Sequence, residues 1–570
     1  MKSFYIILFI TFLFIGCKTI DNLNTVTKNL SAKDESLNGI LQTWYQKDYL
    51  LDKVPGISLD KWYKQNKKQP KENNSVIVAV IDTQIDLKHE DLQDQIWTNP
   101  SEIADNGIDD DNNGYVDDIN GWNFTATKNG GYVVWGNFEY VRLIRDWESL
   151  FTGKTESEIA AQDLPNYIEY RRALKVYEQE KSHYSNWLTS SKYSVALFPI
   201  VKDSLKHYFP KEDYSYQQLD SLYQKYKIND KTFGQRRKDN DRDIGAMIGF
   251  MKVRFDYDEK TIEKMKETEI QLDSIVNKNL NLDYDDRISI GDNPKTLEKN
   301  YGSNKVSINK PEYRSLQDHS TKVAGIIAAN RENDRGIKGI VQKVKIMPLS
   351  ISFSGDEHDK DIAMAIYYAV DNGAKVINMS FGKEFSLQKE WVFEAFKYAE
   401  KHNVLLVHSA GNNRFSADKN PYYPTDNNFD GSQEICKNFI NVGSISSKLD
   451  STFVSGFSNY GKLNVDLFAP GEEIYTTAPG NTYISDSGTS LAGPMVSGTA
   501  ALIWSYYPSL TVTEVKQIIL DSGTAYDIEV IVPGTKDKKV PFLELSKSGK
   551  VLNVYNAMQM AEKMSKKKRH

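Results

Sequence analysis

The stretch "SVIVAVIDT", residues 75–83, decides the fold class. Residues 76–81 are all apolar and mostly β-branched, with no alternation of polar positions. A strand with one wet face alternates, so an unbroken run predicts a strand covered on both faces, the habit of parallel sheets. Three later stretches repeat it: "VKIMPLSIS" (344–352), "AKVINMSF" (374–381) and "NVLLVHSAGN" (403–412). Helical patterns lie between them, "DIAMAIYYAVDNG" and "EWVFEAFKYAEKHN". Strand and helix alternating about every thirty residues is the spacing of βαβ units, which predicts a doubly wound, mostly parallel α/β sheet. Functional groups in such sheets sit beyond the carboxyl ends of the strands, and Asp82 ends the first one.

A chain of 570 residues is too long for one ordinary core, so more than one unit is expected. A net charge of −6 over this length argues against a nucleic-acid surface, and the "KKKR" at 566–569 reads as a solvated end. Met1 and Lys2 precede an apolar run that is short for a membrane span and stops at Gly16-Cys17. This resembles a bacterial lipoprotein signal, with Phe14 where such signals usually carry Leu. It implies lipidation of Cys17, a membrane anchor and a cell-envelope location, with Lys18 pointing to the outer membrane of a Gram-negative host. A plain signal peptide or an uncleaved anchor is the other reading. After Cys17 only Cys436 remains, so no internal disulfide is expected.

The expected organisation is a signal at 1–16, a polar tether at 17–45, an α/β domain at 46–124 and 311–563, and a basic tail at 564–570. Residues 125–310 interrupt the α/β pattern with Tyr-rich, Lys/Glu-rich amphipathic sequence, which predicts a large helical insertion. Its expected role is to gate a cleft.

Three segments set a reactive residue at the end of an apolar element: "VAVIDTQID" with Asp82, "DHSTKVAGIIAA" with His319 and "SGTSLAGPMVSGTAALIW" with Ser490. Taken singly, each has a bland reading as a helix cap or turn. Taken together they supply a hydroxyl, a base to take its proton, and a carboxylate to hold the base. Asn412, just past a strand end in "HSAGNN", adds an amide donor for a developing oxyanion, and the helix-start N–H of Ser490 adds another.

With these motifs in the order Asp, His, Asn, Ser, the chain resembles the subtilisin-like serine peptidases. Further pieces of the resemblance are "VINMSFG", "FSNYG" and "LFAPGEEIYTT"; the match covers roughly 75–124 and 311–525. It implies an endopeptidase acting on protein or peptide substrates through an acyl-enzyme on Ser490. Asp82 would orient the imidazole, His319 would serve as general base then acid, and Asn412 would bind the oxyanion. Ser380, Phe381 and Gly382 would pair with substrate backbone and wall the first side-chain pocket. No cofactor is implied for catalysis. The alternative is a catalytically silent envelope binding protein on the same scaffold.

Departures from the family pattern are Ser320 in place of Gly, Lys322 in place of His, and Met495 in place of His. Asp82 and His319 are also 237 residues apart, where the family has a few dozen. Loop closure costs grow only logarithmically with length, so this insertion is compatible with an assembled triad.

"DNGIDDDNNGYVDD" (105–118) resembles a calcium loop, with Asp109, Asp111, Asn113, Tyr115 and Asp117 as expected ligands and Asn120 where an EF-hand has Glu. A solvated acidic turn fits the same residues. Among the other histidines, His408 is expected in the core, and His89, His358 and His402 on the surface.

Overall fold

The computed structural model describes residues 42–66, 75–256, 259–299, 301–308, 311–429 and 434–568. Cys17, and the signal and most of the tether around it, lie outside the described residues. Among the described residues, no helix is long and apolar enough to cross a membrane.

The chain divides into two compact units. The first takes in the described residues within 1–134, 287–353 and 357–570; the second takes in those within 135–286 and 354–356.

The first unit is built on a nine-stranded sheet. Its strands are β1 (Val76–Asp82), β2 (Trp122–Asn123), β3 (Val344–Ser350), β4 (Val376–Met379), β5 (Leu405–Ser409), β6 (Phe439–Ile445), β7 (Leu467–Pro470), β10 (Thr524–Ala525) and β13 (Lys550–Val551), in the order β10-β13-β7-β6-β5-β4-β1-β3-β2. All neighbours are parallel except β10 and β13. Two hairpins lie outside it, β8 (Ile474–Ala478) with β9 (Thr482–Asp486) and β11 (Glu529–Ile531) with β12 (Lys539–Pro541). The unbroken apolar runs are covered on both faces: Val78, Ala79, Val80 and Ile81 are all fully buried.

Strand β1 pairs with β3 on one side and β4 on the other. The chain therefore reverses its direction of sheet growth at β1, and a crevice opens beyond the carboxyl end of the strand at such a switch point. Asp82 is the last residue of β1.

One core cluster lies on the face of the sheet that receives helices Asp318–Ala328 and Thr489–Tyr506; the other lies under helices Asp359–Asp371 and Lys389–Lys401. Helix Thr489–Tyr506 is buried almost along its whole length, which explains its small residues. A Cβ on Gly498 would lie 2.8 Å from Ile340 Cβ, and one on Gly325 would overlap Thr477 Oγ1.

Several boundaries differ from the sequence reading. Trp44 and Tyr45, assigned to the tether, are buried with Ile57, Leu59 and Trp62 in the first core. The Trp44 indole N–H donates to Glu473 O at 3.3 Å and Tyr63 Oη donates to Ile340 O at 2.8 Å. Two aromatic residues in a polar stretch carry too little periodicity to mark a core segment. Residues 287–308, assigned to the insertion, belong to the first unit. Buried Arg287 pairs with Asp361 and Asp292, and Tyr301 Oη donates to Asp361 Oδ1 at 2.7 Å. The expected basic tail continues helix Val554–Lys567, in which Ser565 is buried.

The second unit is helical, dominated by the 42-residue helix Leu164–Leu205 with helices Glu139–Phe151, Tyr216–Tyr226, Ile244–Asp256 and Ile262–Ser274. Its own core gathers Leu197, Phe198, Val201, Leu219, Ile248, Phe250 and Met265.

Candidate active site

Burial of β1 carries the Asp82 carboxylate to the crevice with only 2% of its side chain exposed. His319, second residue of helix Asp318–Ala328, points Nδ1 at that carboxylate, 2.8 Å from Oδ1 and 2.9 Å from Oδ2. The Thr83 N–H also donates to Oδ1 at 2.6 Å. With Nδ1–H donated to Asp82, the neutral imidazole has its lone pair at Nε2, the form a general base needs. Burial lowers the imidazole pKa, the Asp82 carboxylate more than offsets this, and the net shift is upward from 6.5. Lys322 lowers it and Asp318 raises it by smaller amounts.

Ser490 is the second residue of helix Thr489–Tyr506, behind Gly488 in an extended conformation. A Cβ placed on Gly488 would lie 3.0 Å from Ser490 Oγ and 3.4 Å from Asn412 Nδ2. The hydroxyl and the amide donor therefore flank one small volume that only a glycine leaves open. The Asn412 amide is held from its other end, since Oδ1 accepts the Thr489 N–H at 3.0 Å and Thr489 Oγ1 at 2.9 Å. That leaves Nδ2 facing the Gly488 side. Among the described residues, no hydrogen bond joins Ser490 Oγ to His319 Nε2. Such bonds are often loose before substrate closes the site.

Three supporting contacts were not legible in the sequence. Thr489 orients Asn412 and accepts the Gly411 N–H at 3.1 Å. Ser380 Oγ donates to Ser490 O at 2.9 Å. Thr83 Oγ1 accepts the Ser320 N–H at 3.2 Å, tying the end of β1 to the start of the His319 helix. Each lies next to a motif residue, but its partner is remote in sequence and no periodicity marks it.

The segment after β4 has alternating backbone partners. Phe381 O accepts from His408 Nε2 at 2.8 Å, and Lys383 exchanges both backbone bonds with Tyr423 at 2.9 and 2.7 Å. Residues 381 and 383 thus bind inward, so the main-chain groups of Ser380 and Gly382 face the other way, as a strand requires. His408 is fully buried, as expected, and burial drops its pKa to about 4. His402 is exposed, but His89 and His358 are buried, against expectation. His89 accepts the Asp91 N–H at Nδ1 and meets Thr482 O at Nε2, both at 3.2 Å, so a loop histidine is satisfied inside.

The departures at 320 and 322 have separate outcomes. Ser320 is fully buried, and its Oγ has no hydrogen-bond partner among the described residues. Lys322, 4% exposed in its side chain, forms ion pairs with Asp318 and with Asp486, the latter at 2.7 Å. It links the His319 helix to the end of β9, four residues before Ser490.

In the acidic loop, two of the expected ligands, Asp109 and Asp111, bring their carboxylates together with a third from Glu102. Carboxylate oxygens of Asp109, Asp111 and Glu102 lie within 4.8 Å of one another. The Asp117 carboxylate instead accepts the N–H groups of Asn106 and Gly107, both at 3.0 Å. Asn113 Oδ1 accepts the Tyr115 N–H at 2.8 Å, and the Tyr115 ring is buried against Trp122 and Tyr368. Glu102 lies outside the loop pattern and was missed. Its Oε1 accepts the Asp110 and Asp111 N–H groups, while Oε2 is buried without a partner among the described residues.

Comparison with known proteins agrees with this geometry. The chain is 39% identical over 189 residues to the "Thermophilic serine proteinase" of Bacillus sp. (strain AK1), covering 33% of this chain and 43% of that protein. It is 33% identical over 208 residues to "Subtilisin DY" of Bacillus licheniformis, covering 36% and 70%. It is 36% identical over 186 residues to "Thermitase" of Thermoactinomyces vulgaris, covering 32% and 60%. The chain thus spans less than half the length of the first of these relatives. The model of the Subtilase family matches residues 73–540, most of the chain. With the sheet, its switch point and the ordered motifs in place, the chain belongs to the subtilase family.

Proposed function

We propose that the protein is a subtilisin-like serine endopeptidase that cleaves peptide bonds through an acyl-enzyme on Ser490. The carrying observation is that His319 Nδ1 is bound to buried Asp82 while Ser490 Oγ and Asn412 Nδ2 flank the same open volume at Gly488.

In this reading the Ser490 hydroxyl gives its proton to His319 Nε2 as Oγ bonds to the substrate carbonyl carbon. Asp82 stabilises the imidazolium. The carbonyl oxygen, now negative, is held by Asn412 Nδ2 and the Ser490 N–H at the helix start. The C–N bond then breaks as His319 Nε2 returns the proton to the leaving amine. Water enters with its proton passing to Nε2, and collapse of the second intermediate releases the acid and restores Ser490. Ser380 and Gly382 pair with the extended substrate backbone.

Labelling with a fluorophosphonate tests this. Covalent label on the wild type, absent from Ser490→Ala, is expected. A folded wild type with no Ser490-dependent label would sink it and favour a binding protein.

Two further readings accompany the first. Hard oxygen donors suit calcium, and Glu102 Oε2, buried beside Asp109 and Asp111 without a partner among the described residues, supports a structural calcium site there. The Gly16-Cys17 junction supports a lipid anchor at the cell envelope, and Lys18 after it supports the outer membrane if the host is Gram-negative. Incorporation of labelled palmitate into the wild type and not into Cys17→Ser is the expected outcome; equal incorporation would remove this reading.

A further inference from the structure

The ring of Tyr422 lies against the backbone of both Gly382 and Gly411, the two stretches that flank the proposed nucleophile and oxyanion donor. The substrate carbonyl carbon must lie at Ser490 Oγ with its oxygen toward Asn412 Nδ2, and its backbone must run along Ser380 and Gly382. The side chain one bond away from that carbon then enters the slot between two backbone walls, the one at Gly382 and the one at Gly411, which directly precedes Asn412. Thr489 pins the second wall beside the nucleophile, since its Oγ1 accepts the Gly411 N–H.

Both walls touch the same edge of one ring. A Cβ on Gly382 would overlap Tyr422 Cε1, and would lie 2.8 Å from Cζ and 3.0 Å from Oη. A Cβ on Gly411 would lie 2.6 Å from both Cε1 and Cζ. Gly411 has φ +98°, a conformation that excludes other residues, and Gly382 has no room for a side chain. The ring is wedged from behind as well, with the Phe415 ring edge-on at 6.1 Å and the His408 ring at 6.1 Å. His408 also holds Phe381 O, so the same residue fixes the wall and backs the plug.

We infer that Tyr422 is a specificity-determining residue that closes the slot to bulky groups, so that the substrates are proteins and peptides with Gly, Ala or Ser on the acyl side of the cut bond. This rests on the endopeptidase reading. A single methylene in such a pocket changes discrimination by about 10- to 200-fold, so a whole aromatic ring should exceed that.

The test uses the full chain and a peptide library varied only at the residue before the cut, with Ser490→Ala as control. Wild type should cleave after Ala or Gly with kcat/KM at least ~100-fold above Phe or Leu. Tyr422→Gly should raise the Phe and Leu values by ~10-fold or more while Ala changes little, and Tyr422→Phe, which keeps the ring, should behave as wild type. Ser490-dependent cleavage by wild type that is equally fast after Phe and Ala overturns the inference while leaving the peptidase reading intact, and it needs no variant to fold. No Ser490-dependent cleavage of any peptide overturns both.

Discussion

Ser380 Oγ donates to the carbonyl of Ser490 at 2.9 Å, and this bond repairs a break in the helix that carries the nucleophile. The acceptor would ordinarily bond the N–H four residues on, which is Pro494 and has none. Ser380→Ala should therefore leave this part-buried carbonyl unpaired and cost about 1–3 kcal/mol. Pro494→Ala restores an N–H, so the double variant should recover at least about 1 kcal/mol of that loss in a denaturant-unfolding cycle. Additive losses would contradict the pairing.

The pH profile follows from the charges around His319. Its pKa is raised, so the imidazole stays protonated to a higher pH, and kcat/KM should climb with an acid-limb pKa above 6.5. Lys322 works against that shift. Lys322→Met removes a nearby cation and leaves Asp318 and Asp486, so the limb should move to still higher pH. The two acids are partly exposed, so the stability loss should fall below the ~3–5 kcal/mol of a fully buried pair. A limb that moves down would reject the assignment.

Among the described residues, the Ser320 hydroxyl is buried without a partner in a helix. Ser320→Ala removes the orphan and adds helix propensity, so thermal unfolding should shift upward by the equivalent of about 1 kcal/mol. A lower Tm would mean that the hydroxyl has a function.

Calcium binding should appear as stability. At 100-fold excess over Kd, calcium should add ~2.7 kcal/mol, reversed by chelation. Glu102→Gln should lose most of that increment, whereas Asp117→Asn, with its carboxylate turned to backbone N–H groups, should keep it. A wild-type Tm indifferent to calcium would remove the site.

The buried strands were legible because a two-faced parallel strand writes itself as a continuous apolar run. The site was legible where a reactive residue ends such a run, as at Asp82 and Asn412. What escaped was held together by tertiary geometry. Ser380 meets Ser490 across 110 residues, and Lys322 meets Asp486 across 164. Glu102 turns its carboxylate into a loop that begins after it, and no spacing rule reaches it. Trp44 and Arg287 belong to the core by packing that single residues in polar surroundings do not announce.

The most direct measurement is capture of the acyl-enzyme itself. A rapidly quenched reaction with an Ala-ended peptide ester, digested and mapped by mass spectrometry, should place the acyl group on Ser490 within one turnover. The adduct should be absent from Ser490→Ala and scarce in His319→Ala. Hydrolysis that persists in Ser490→Ala, or an adduct on another residue, would contradict the account.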